Sequence, residues 1–150
     1  MIENYKYSFI FILLTILTAC KLEPQPIFFG SDVCSNCKMT ITDGRYGAEI
    51  ISKKGKIYKF DSAECMIQFL KSKEIQAENI HQFLITDFAT PENFTDAKTA
   101  HFLISQNLPS PMGADLTGFS SRVDAGKFRS EYEGKILTWS ETVQEIHGEN

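Results

Sequence analysis

Phe60-Asp61-Ser62-Ala63-Glu64-Cys65-Met66-Ile67-Gln68-Phe69-Leu70 carries the chain from a strand into a helix. Ala63, Met66, Ile67 and Leu70 recur at the three- and four-residue spacing of one helix face, and Asp61 or Ser62 offers the side-chain oxygen that caps its start. The same junction occurs a second time: Phe60, Ser62 and Phe69 recur as Phe119, Ser121 and Phe128, each 59 positions on. We read an internal duplication, and hence an α+β fold of two pseudo-repeated ββαβ lobes at about residues 32–88 and 95–140.

The flanking segments fill in both units. In the first, strands at residues 46–51 and 56–60 meet at a turn containing Gly55, the capped helix runs to about Lys73, and a strand follows at 81–88. Residues 89–98 are turn-rich. In the second, strands at 101–105 and 115–119 flank a Pro-rich loop, and Ser120 or Ser121 caps a helix that runs to Tyr132. Gly134 closes that helix, residues 135–139 form a last strand, and a short polar helix ends the chain.

The N-terminus sets the compartment. Lys6 and the free amine precede an apolar stretch at 9–17, and Leu17-Thr18-Ala19-Cys20 follows. The stretch is short for a spanning helix, and small residues leading into a cysteine resemble the bacterial lipobox. Residues 1–19 are therefore expected to be a signal peptide and Cys20 the lipidated mature N-terminus, on a bacterial membrane with the domain facing the periplasm or cell exterior. Residues 20–31, with Pro24 and Pro26, are expected to be a tether, and 32–150 the domain. A net charge of −4 leaves no basic stripe for nucleic acid, while 43% hydrophobic residues and twelve phenylalanines can fill a core.

The chemistry gathers in Cys34-Ser35-Asn36-Cys37-Lys38-Met39. Two thiols and a thioether are soft donors, which favour cuprous ion, but a CxxC pair also serves as a disulfide, half a zinc site or a redox dithiol. A disulfide leaves a thiol over, since Cys34, Cys37 and Cys65 are three once Cys20 is lipidated. Zinc lacks a second close pair, with only Cys65 and the scattered His81, His101 and His147 available. A redox dithiol belongs at a helix N-terminus, whereas here the β-branched Thr40-Ile41-Thr42 and the Asp43-Gly44 turn follow. Met112, in the stiff Pro109-Ser110-Pro111-Met112-Gly113 loop, is either a gap-filler between lobes or a further thioether ligand. Met66 belongs to the core face. Cys65 is read first as a small buried hydrophobe, with a position facing the metal loop as the alternative. His101 is read as a hydrogen-bonded histidine before a ligand. No paired carboxylates, nucleophile elbow, P-loop or dinucleotide fingerprint is present.

The lipobox cysteine, the CSNCKM run, Phe60-Asp61 before Cys65-Met66, Thr86-Asp87-Phe88, Asp96-Ala97, Ala100-His101-Phe102, Ser110-Pro111-Met112-Gly113 and Leu137-Thr138-Trp139 together resemble the NosL family of copper-binding lipoproteins, over about residues 32–140. The resemblance implies a fold like the core of organomercurial lyase and a carrier of Cu(I) with no catalytic residues. It implies metal ligation by Cys37, Met39 and Met112, with Cys34 beside them. It further implies delivery to a periplasmic acceptor such as nitrous oxide reductase during its maturation in denitrification, with a membrane copper exporter as a possible donor. Lys38 departs from the glycine expected there in many members. The competing class is an enzyme, a thiol–disulfide oxidoreductase or organometal lyase using the CxxC pair.

Overall fold

The computed structural model describes residues 22–148. The signal stretch and Cys20 lie outside them. The order is β1 (Ala48–Ser52), β2 (Ile57–Phe60), α1 (Ala63–Lys71), a 3-10 turn (Ala77–Asn79), β3 (Ile80–Thr86), β4 (Phe94–Asp96), β5 (His101–Ile104), β6 (Leu116–Phe119), α2 (Arg122–Tyr132), β7 (Lys135–Thr138) and α3 (Trp139–Gly148). Two antiparallel sheets form, ordered β2-β1-β3-β4 and β6-β5-β7. In each, the half's first strand lies between its second and third, and the helix falls between the second and third in sequence. Phe60 and Phe119 end the second strands. Ser62 and Ser121 cap the helices, Ser62 accepting from the Cys65 amide and Ser121 from those of Val123 and Asp124.

β1 is buried along its whole length, because β2 and β3 flank it and both of its faces are covered. That burial takes in Glu49, whose carboxylate receives the backbone N–H of Gln25 at 3.1 and 3.3 Å. The stretch expected to be a free tether is consequently docked from Gln25 onward. Lys59 Nζ donates to Pro26 O at 2.7 Å, and Ile27 is in the core. Burying an isoleucine contributes about 2 kcal/mol toward holding the segment in place.

Two further segments differ from expectation. β4 lies inside the stretch read as turns; three residues on a sheet edge are too few to leave a periodic pattern. α3, read as merely polar, buries Thr142 and Ile146 and begins with Trp139, whose ring lies 5.7 Å from that of Phe83 and 5.8 Å from that of Phe102. Those two phenylalanines belong to different halves, so Trp139 fastens one sheet to the other.

The halves share one core, in which Ile50, Phe60, Cys65 and Met66 of the first meet Phe102, Leu116, Leu137 and Ile146 of the second. Gly118 permits the approach: a Cβ there would collide with Ile85 of β3. Its carbonyl also accepts the Phe88 amide at 3.0 Å. A second cluster, with Phe88 against Tyr46, Phe119 and Phe128, closes the far side of the junction.

Burial raises the Glu49 carboxyl to about 6. The folded chain thus keeps a proton that the unfolded chain releases near 4.5, so this group's contribution to stability falls as pH climbs from about 4.5 to 6 and stays low above. Glu49→Gln keeps an acceptor for Gln25 and removes the titration. Its melting temperature should therefore decline less than the parent's between about pH 4.5 and 7; parallel melting curves would contradict the assignment.

Candidate metal centre

Residues 28–41 fold into a short hairpin ahead of β1. Gly30 N donates to Ile41 O at 2.8 Å, Ile41 N to Asp32 O at 2.9 Å and Cys34 N to Met39 O at 2.8 Å, with Val33 and Thr40 bridged between them. The loop that closes it, residues 34–39, is the CSNCKM run. Lys38 turns the chain at a φ of 63°, in the left-handed region that costs a side-chain-bearing residue about 1 kcal/mol, which accounts physically for a glycine being at home there.

Three contacts fix this loop on the domain. Ser35 N donates to Lys59 O at 2.8 Å on the outer edge of β2, Lys59 Nζ pairs with Asp32 at 2.7 Å, and Asn36 Nδ2 donates to Gln68 of α1 at 3.2 Å. The loop therefore sits over the start of α1, where the Ser62 cap places Cys65 in the first turn. The sulfurs of Cys34, Cys37 and Cys65 lie within 4.8 Å of one another, and all three are free thiols. Cys34 and Cys65 are fully buried, and Cys37 is half-buried.

In the sequence alone Cys65 reads first as a small buried hydrophobe. It is buried, and it is also the third thiol of the cluster. The usable signal was the odd thiol itself, one short turn past a helix cap that follows the strand on which the loop leans.

The cluster has polarised protonation. The Cys65 thiol donates to Cys34, and the backbone amides of Asp61, Cys37 and Asn36 add to it, drawing Cys34 down to about 5 against its burial. Cys65 is pushed up, first by giving its proton to that bond and then by burial. Burial raises Cys37 as well. Beside them Asp61 is raised by burial and by the charge of Cys34, and its Oδ1 has no hydrogen-bond partner among the described residues. A buried thiolate next to an unpartnered carboxyl oxygen is a place where a cation relieves an electrostatic cost. Three sulfur donors suit a soft ion that accepts three-coordination.

The methionines are placed differently. Met66 is core, as expected. Met39 stands exposed two residues beyond Cys37. Met112 is half-buried against the same core that contains Cys34 and Cys65. Its loop turns at Gly113, with φ of 81° and its amide donating to Ser110 O at 3.2 Å. The Ser110 hydroxyl bonds the carboxylate of Glu64, the neighbour of Cys65, and accepts from Leu116 N at 3.2 Å. Tyr46 adds a bond to Pro109 O at 3.0 Å. The loop of the second half is thus fastened to the helix turn that carries the third thiol. His101 heads β5, paired with Phe119 and Thr138, and His81 is exposed on β3.

Thiolate absorbance at about 240 nm should show one group in the metal-free protein titrating near pH 5. Cys65→Ala removes the principal donor and should move that step up toward the ordinary thiol range; three thiols all titrating at ordinary values in the parent would contradict the arrangement.

Comparison with known proteins agrees with this architecture. The family model NosL matches residues 27–147. The copper-binding lipoprotein NosL of Stutzerimonas stutzeri is 29% identical over 137 residues, covering 83% of this chain and 68% of that protein. The crystal structure of the copper chaperone NosL from Shewanella denitrificans superposes with a TM-score of 0.69 at 24% identity, over 81% of this chain and 96% of that one, a likeness of fold. With a family model spanning residues 27–147, most of its length, this chain belongs to the NosL family.

Proposed function

We propose that the chain is a lipid-anchored carrier of Cu(I), held to the membrane through Cys20 and loaded at the thiol cluster. The observation that carries this is the meeting of Cys34, Cys37 and Cys65, unbridged and within 4.8 Å, two of them on the loop that ends at Met39; the loop bearing Met112 is tied to the helix turn of the third through Ser110 and Glu64. The copper-binding and chaperone names of the relatives support it. The candidate donors are Cys34, Cys37, Met39 and Met112, to which the cluster adds Cys65; the three clustered thiols hold the resting ion, and the thioethers take part as it is handed on. The shared strand order of the two halves and the repeated Phe and Ser positions support an origin by duplication of one ββαβ unit.

The ion is cargo, and the residues divide the labour. Cys34, already the acidic thiol, meets the ion first; Cys37 and Cys65 give up protons as they bind, so loading releases protons and strengthens as pH rises. Three-coordinate Cu(I) leaves room for an incoming ligand from an acceptor. Met39, exposed on the hairpin, is the donor an acceptor reaches from outside, and a thioether remains a ligand where thiols oxidise. The acceptor we propose is a periplasmic copper enzyme under maturation, nitrous oxide reductase in the first instance, with a membrane copper exporter as the source. An oxidoreductase or lyase is the weaker reading, because the thiols lie in a loop and within a buried first turn rather than at the exposed helix N-terminus a redox dithiol uses.

Anaerobic titration with Cu(I) against a chromophoric competitor should give one tightly bound equivalent. Cys34→Ser should weaken it on the order of 100-fold, and the paired Met39→Leu and Met112→Leu substitutions should weaken it less while slowing transfer to an acceptor. Absence of stoichiometric binding would contradict the carrier; full affinity and transfer in the double methionine variant would remove the thioethers from the site.

A further inference from the structure

Exposed apolar residues are concentrated where the metal loop is. Among the described residues the large hydrophobic side chains standing in solvent are Phe28 at 63%, Phe29 at 43%, Val33 at 54%, Met39 at 57% and Val123 at 68%. All but Val123 belong to the hairpin of residues 28–41. The Phe28 ring meets the Lys59 ammonium and the Phe29 ring lies against Gly44 and Gly47, yet much of both stays in water while Ile27 and Ile41 supply the segment's buried contacts. Such concentrations mark interaction surfaces.

The chain leading to this hairpin identifies what covers it. Gln25 is pinned by Glu49 and Pro26 by Lys59, so Cys20 stands five residues from the docked chain, at most about 17 Å. Phe28 comes three residues after the pinned Gln25. A lipid on Cys20 therefore holds this side of the domain against the bilayer surface and keeps the hairpin at high effective concentration there. Charge does not oppose contact: although the whole chain is at −4, the hairpin carries one acid, Asp32, and one base, Lys38. Asp32 is moreover neutralised by Lys59, whose ammonium also lies 5.3 Å from the centre of the Phe28 ring. An aromatic pair with a long cationic side chain is suited to the boundary between headgroups and acyl chains.

We infer that the hairpin is a membrane-contacting face: Phe28, Phe29 and Val33 enter the interface of the bilayer in which Cys20 is anchored, and the Cys34–Met39 loop is thereby presented toward the membrane surface. The inference rests on the lipid anchor proposed above. It makes the orientation of the metal loop a property of the domain surface as well as of its tether, and its apolar basis makes the contact insensitive to salt.

The test uses the lipidated full chain in vesicles of phosphatidylethanolamine and phosphatidylglycerol, with bromine on the acyl chains as a quencher. Phe28→Trp is compared with Val123→Trp, a similarly exposed position on α2, over the common background of Trp139. The indole introduced by Phe28→Trp should be quenched at least twofold more strongly than that introduced by Val123→Trp and should emit to the blue, equally in low and high salt. Vesicle flotation reads the anchor separately, and Cu(I) titration of both variants reads the cargo site. A chain that fails to float overturns the anchor and the face together. A chain that floats with equal quenching in the two variants, or whose hairpin indole becomes shielded only when a protein partner is added, overturns the membrane face and leaves Cu(I) carriage standing.

Discussion

The hydrogen bond between Ser110 of the second half and the buried carboxylate of Glu64 in the first is the point on which the arrangement turns. Glu64 occupies the first turn of α1, next to Cys65, and its side chain is closed off from solvent. The Pro109–Gly113 loop supplies the partner and is thereby fastened to the helix turn that bears the third thiol, while Met112 packs half-buried against the core. The carboxylate binds the halves at one place in the same way that Trp139, between Phe83 and Phe102, binds them at another. The thiol cluster is consequently a product of tertiary docking: two of its members come from a loop leaning on β2 and one from a helix whose position depends on the second half.

Most of the architecture was legible in the residues. The Phe-x-Ser junctions marked both strand ends and both helix caps, because a capping hydroxyl and a closing aromatic are local requirements. β4 escaped, being three residues on an edge. The docking of residues 25–31 escaped for a different reason: a lone Ile27 between prolines and phenylalanines carries no periodic pattern, and its neighbours' partners, Glu49 and Lys59, lie on strands more than twenty residues away in sequence. A glutamate within a strand whose every residue is buried is visible only once the sheet order is known.

The site was half legible. Cys34 and Cys37 declared themselves by spacing, with Met39 beside them as a third soft donor; Met112 stood out only as a flexible side chain in a stiff loop with no apolar period around it. Cys65 sat next to Met66 on a helix where a small hydrophobe is equally at home, so proximity to the loop could not be read from either segment alone. Lys38 in the left-handed region and the polarised pair of Cys34 and Cys65 show the same limit, because each arises from how the loop closes over the helix. This closure also gives one place both buried thiols and, on the hairpin that covers them, an exposed thioether and exposed apolar side chains.

X-ray absorption at the copper edge of the Cu(I)-loaded protein addresses the central claim most directly. The account predicts a first shell made only of sulfur, three-coordinate, with one sulfur lost when Cys65 is replaced by serine. A shell dominated by nitrogen or oxygen, or one unchanged in that variant, would contradict it.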